Sequence, residues 1–159
     1  ESRAYHHLDS FDTGESDPTA IAQARAQAFL AAWRPTMDAE VLFETLSDGD
    51  GTNDPFILSV RSRAHYEIGH VPGSYNVPWR EVATVETLQH LPGDTAIVTY
   101  CYTGHAGQVA ATVLGLFDYE VTNLKLGMMG WTDDADVLAI EGFSAPMGYP
   151  VETEPNDLD

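Results

Sequence analysis

Three short apolar runs, the first two each followed by a helical stretch, constrain this chain more than anything else in it. They are Phe56-Ile-Leu-Ser-Val60, Ala96-Ile-Val-Thr-Tyr100 and Val121-Thr-Asn-Leu124. Runs of four or five residues without strict polar alternation suit strands covered on both faces. Strands of this kind alternating with helices predict an α/β domain built on a parallel sheet.

The segments between them complete the pattern. Asp17-Pro18 supplies an N-cap acceptor followed by proline at the first helical position, so a helix is expected from there to about Trp33, stopping at Pro35. Phe29 and Trp33 share one face of it, the face expected to dock on the domain body. A helix is expected over Asp38–Leu46, then a loop at Ser47-Asp-Gly-Asp-Gly-Thr-Asn-Asp-Pro55. Ser62 caps a short helix through Ile68, Gly69-His70-Val71-Pro72-Gly73 is a turn, and Tyr75–Val77 a short strand. Helices are expected over Glu81–Leu91 and Gln108–Phe117. The expected organisation is an arm and docking helix over 1–35, one domain over 36–135, and an acidic extension over 136–159.

The 159 residues carry 7 basic and 25 acidic side chains, a net charge of −18, and Lys125 is the one lysine. Without a basic surface to replace phosphate counterions, nucleic-acid binding is excluded as an expectation. Carboxylates spread along the whole chain either serve solubility or, given the near-absence of lysine, suggest a protein adapted to high salt, where self-repulsion is screened. No apolar run is long enough to insert in a membrane. The chain opens on Glu1 rather than Met, so the expected location is the cytoplasm or, after loss of an upstream segment, outside it.

Cys101 is the one cysteine, which rules out an intramolecular disulfide and a multi-thiolate zinc site. It closes a predicted strand and opens a loop containing Gly104 and Gly107, with a helix just beyond. Ligands in open α/β sheets bind beyond the carboxyl ends of strands. Backbone N–H groups and the positive end of the helix would face the sulfur there, favouring a thiolate and an anion beside it.

Several motifs in order resemble the rhodanese family. They are Ser59-Val-Arg61, Gly69-His-Val-Pro-Gly-Ser74, Asn76-Val-Pro78, the strand leading into Cys101, and Asn123-Leu-Lys-Leu-Gly127 followed by Trp131. The segment Cys101-Tyr-Thr-Gly-His105, with Leu124–Trp131, is similar to a Cys-Tyr-Thr-Gly-His variant of that family. The resemblance implies an α/β rhodanese-like three-layer domain with a central, mostly parallel sheet flanked by helices. It also implies sulfur transfer through a persulfide on Cys101, from a small-molecule donor such as thiosulfate to a thiophilic acceptor, with no cofactor or metal. Tyr102, Thr103, Gly104, His105, Ala106, Gly107 and Arg61 are the implied substrate-binding residues.

The sequence departs from the family in two places. Ala106 stands where many members place an arginine, and Ser59 where they place an aspartate. His105 is open to three readings: general acid, anion contact or solvent-facing loop residue. Arg61 either reaches the pocket or pairs with a carboxylate beneath it. His70, Met128, Met129 and Trp131 read as structural, and His6-His7 as an arm without a metal role. Phosphatase chemistry on the same fold needs an arginine six residues after the cysteine, where this chain has Gly107. A non-catalytic binding module and a persulfide carrier fed by a partner protein remain as alternatives.

Overall fold

The computed structural model describes residues 13–32 and 36–138. The two histidines of the arm, Trp33 and the acidic tail lie outside the described residues.

The elements, in chain order, are α1 (Pro18–Ala31), α2 (Ala39–Ser47), β1 (Phe56–Ser59), α3 (Arg63–Ile68) and β2 (Tyr75–Asn76). After a 3-10 turn at Trp79–Glu81 come α4 (Val85–His90), β3 (Ile97–Tyr100), α5 (His105–Leu116), β4 (Val121–Asn123), α6 (Met128–Trp131) and α7 (Ala135–Leu138). The four strands are all parallel in the order β2-β1-β3-β4. A parallel bridge from Met37 to Leu124 extends the far edge. The α/β class expected from the apolar runs is therefore the class observed.

Side-chain alternation along the strands sorts the core into two layers. Leu58, Val60, Ile97 and Cys101 face the layer of Leu88, Leu91, Ala110, Ala111 and Leu114, contributed by α4 and α5. Ile57, Val98 and Tyr100 face the other, with Leu42 of α2, Val71 and Met128 of α6. Every residue of β3 is buried, as a central strand covered on both faces requires.

Helix starts follow their caps. Asp17 Oδ1 accepts the Thr19 and Ala20 N–H groups at 3.0 Å, and Ser62 Oγ accepts His65 N–H at 3.3 Å. No residue of α1 is fully buried, yet the helix is anchored on α5. Phe29 lies so close to Gly115 that any Cβ there would overlap its ring, and Arg25 pairs with Asp118 at 2.7 Å.

Two expectations are corrected, and the structure adds a third feature. The helix expected over Glu81–Leu91 is broken, because Thr84 starts a new one by accepting Thr87 N–H at 3.2 Å. The helix expected from Gln108 begins at His105, so His105, Ala106 and Gly107 form its first turn rather than a loop. The chain after Gly127 forms two short helices, α6 and α7, and Val137 and Leu138 pack on the second core layer.

Candidate active site

β3 delivers Cys101 to the carboxyl edge of the sheet, and only Tyr102, Thr103 and Gly104 separate it from α5. Gly104 caps the helix in the left-handed region, φ 93°, and makes no side-chain cap bond. The first helical bond runs from Gln108 N–H to the Gly104 carbonyl at 2.9 Å. The N–H groups of His105, Ala106 and Gly107 therefore have no acceptor within the helix. That turn lies against the cysteine itself: a Cβ on Gly107 would stand 3.3 Å from Cys101 N and overlap Asn123 Oδ1.

The loop is held from below by β4 and the turn after it. Asn123 Nδ2 donates to the Gly104 carbonyl at 3.1 Å, and Thr99 Oγ1 donates to the Gly107 carbonyl at 2.9 Å. Met128 and Met129 N–H groups donate to the Cys101 and Tyr102 carbonyls at 2.9 and 3.0 Å. Gly127 makes this approach possible. Its φ of 55° and ψ of −137° suit only glycine, and a Cβ there would lie 2.5 Å from the Cys101 carbonyl oxygen.

The remaining site residues spread around this cradle. Thr103 Oγ1 and His105 Nδ1 are 2.7 Å apart on its solvent side, and His105 is exposed. Ala106 packs into the α5 core layer. Tyr102 turns away toward α3, where its hydroxyl meets His65 Nδ1 at 2.6 Å and Ser62 N and Oγ at 3.3 Å. Ser62 is read from the sequence only as a helix cap and His65 is not singled out; both lie dozens of residues from Tyr102, so their contact with it carries no local signal.

Arg61 is 1 % exposed and pairs with no carboxylate. Its guanidinium donates to the Gly69 and Val137 carbonyls and lies 5.7 Å from the ring centroids of both Tyr100 and Tyr102. The carboxylate partner left open for it is thus replaced by carbonyl oxygens. Its Nε and the neighbouring Ser59 Oγ are both buried without a hydrogen-bond partner.

Cys101 is itself only 2 % exposed. Two sizeable cavities lie elsewhere, a groove of about 850 Å³ along β2 and α4 and one of about 630 Å³ at the amino end of β1. Neither cavity is lined by Cys101, which lies with the N–H groups of the first turn of α5 at the carboxyl edge of the sheet. Among the described residues, no group of three or more His, Cys, Asp or Glu side chains is placed to hold a metal ion. No helix among them is long and apolar enough to cross a membrane.

The rhodanese-like domain family matches residues 42–134, from α2 through the turn after α6. This chain belongs to that family. Rhodanese-like structures share its fold. The rhodanese-like domain of the Anabaena sp. Alr3790 protein is 22% identical, covers 80% of this chain and 98% of its own, and superposes with a TM-score of 0.57. A rhodanese-like domain protein from Staphylococcus aureus is 17% identical, covers 64% of this chain and 95% of its own, with a TM-score of 0.57. Among curated proteins, the adenylyltransferase and sulfurtransferase uba4 of Ogataea parapolymorpha is 28% identical over 111 residues. That match takes in 67% of this rhodanese-like chain but spans only 28% of the relative's length.

Proposed function

We propose that this rhodanese-like domain transfers sulfane sulfur through Cys101. The thiolate attacks the outer sulfur of a donor such as thiosulfate. A new S–S bond forms to Cys101, the donor's own S–S bond breaks, and sulfite leaves with the bonding electron pair. The persulfide's terminal sulfur is then taken by a thiophilic acceptor: cyanide leaves as thiocyanate and Cys101 returns as thiolate. Two half-reactions sharing one covalent intermediate imply ping-pong kinetics.

The observation that carries this reading is the placement of Cys101 against the first turn of α5, whose His105, Ala106 and Gly107 N–H groups lack helical acceptors. Negative charge at a helix amino end is favoured by such donors and by the helix dipole. A thiolate and a persulfide anion have the same need.

Burial of Cys101 and the alanine at 106 favour a second reading, a carrier or binding module served by a partner protein. Intact mass after incubation with thiosulfate separates the two. Gain of one sulfur atom, its loss to cyanide with thiocyanate formed, and absence of both in Cys101→Ser support the enzyme. A protein that gains no sulfur from thiosulfate or from any small persulfide would abandon the catalytic reading.

A further inference from the structure

The cysteine loop carries no arginine, but the segment after β2 brings one to the same end of the sheet. Trp79 N–H donates to the Val60 carbonyl at 3.2 Å, and Val60 N–H donates to the Tyr100 carbonyl at 2.8 Å. Trp79 and the chain entering Cys101 therefore flank the end of β1 on opposite sides. Two strand spacings, about 10 Å, separate them. The face is also shared. Val77 and Val82 pack in the same core layer as Cys101 and Ala106, and the Trp79–Glu81 turn packs on α5.

Arg80 sits at the centre of that turn, exposed, with its guanidinium 5.0 Å over the Trp79 ring. The other described cations are engaged. Arg25 pairs with Asp118, Arg63 with Glu67 and Lys125 with Asp38, while Arg61 is buried on carbonyls. Among the described residues, Arg80 has neither an ion pair nor a hydrogen bond to its guanidinium. In a protein of charge −18, an arginine without an ion pair at the same end of the sheet as a buried thiol is suited to attract anions there.

We propose that Arg80, steadied on Trp79, is the specificity-determining residue that draws the anionic end of a sulfur donor to Cys101. It takes the place of the missing cation at Ala106. The inference rests on the sulfurtransferase reading for its substrate, an anionic sulfane donor, but the attraction itself can be measured without turnover.

The test compares alkylation of Cys101 by iodoacetate, an anion, and iodoacetamide, its neutral counterpart, with sites verified by mass. Arg80→Gln should lower the iodoacetate rate severalfold, up to about tenfold, and leave the iodoacetamide rate unchanged. Arg80→Lys should recover most of the loss, and molar salt should erase the difference between parent and Arg80→Gln. In steady state, KM for thiosulfate should rise with little change in kcat, since the charged end is bound alike before and during transfer. Equal loss with both reagents would mean a disturbed fold, and an unchanged iodoacetate-to-iodoacetamide ratio would mean that Arg80 does not gate; either overturns the proposal. If the parent protein takes no sulfur from thiosulfate, the sulfurtransferase reading fails while the alkylation ratio still judges Arg80.

Discussion

The two edges of the sheet are built from opposite materials. At the carboxyl edge, backbone meets backbone through Gly104, Gly107 and Gly127, and four of the five described Lys and Arg residues gather there: Arg61, Arg63, Arg80 and Lys125. At the amino edge, the loop between α2 and β1 is acidic and folded on itself. Asp48 and Asp50 accept N–H groups at 2.7 and 3.1 Å, and these bonds, with those from Asn53 and Thr52 side chains, hold both carboxyls below their usual range. A charge of −18 thus describes neither edge by itself. The carboxyl edge is fixed by shape and gathers most of the described basic residues; the amino edge is held by local, water-exposed turns.

The sharpest way to break this contrast is to place the same methyl group at both edges. Gly127→Ala must relieve contacts with the Cys101 carbonyl and adopt a glycine backbone, so a loss of about 3 kcal/mol or more is expected in urea unfolding. Gly49→Ala at the amino edge, also at positive φ but with nothing within 4 Å, should cost about 1 kcal/mol. Equal costs would show that the carboxyl edge is no tighter than the other.

Next in size is Ser59→Asp. A carboxylate beside the buried, unpartnered Arg61 Nε should add a charge-assisted bond and stabilise the domain by about 1–3 kcal/mol. Destabilisation would mean that the new carboxylate is buried without reaching Arg61.

A smaller effect comes from Tyr119, whose hydroxyl donates to the Leu88 carbonyl at 2.7 Å and whose pKa burial raises above 10.0. The folded state holds the protonated phenol, so its contribution is complete below pH 10 and is lost as pH rises through the folded value. Tyr119→Phe should cost about 1 kcal/mol at neutral pH and flatten the alkaline fall in melting temperature. An unchanged alkaline slope would assign that fall to another group. Smallest is the response to salt. Melting temperature should climb by a few degrees from dilute to molar KCl as repulsion among the carboxylates is screened; a flat series would detach the charge from any saline habitat.

Much of this architecture was legible because it depends on short-range patterns. Phe56–Ser59 and Ile97–Tyr100 are apolar runs between breakers, and Cys101 stands at a strand end with glycines after it. The first turn of α5 was not legible, since Gly107 suggests a loop. It is helical, and glycine stands there because Asn123 occupies the space a side chain would need. The break before α4 hides in Thr84, whose capping role exists only once Thr87 turns back to it. The four-residue helices α6 and α7 are too short to show a period. The Tyr102–His65 contact and the approach of Trp79 to Val60 bring together segments far apart in the chain, which local pattern does not encode.

The all-parallel order β2-β1-β3-β4 also governs how the chain reaches this state during synthesis. No two strands form a hairpin; Phe56 pairs with Ile97, and Ile97 with Val121. A nascent chain must therefore emerge beyond Tyr100 before its central pair can zip, carrying β1 without its central partner until then. Throughout that delay its abundant carboxylates keep neighbouring chains apart, so the same repulsion that taxes the finished domain guards the ribosome-bound one against aggregation.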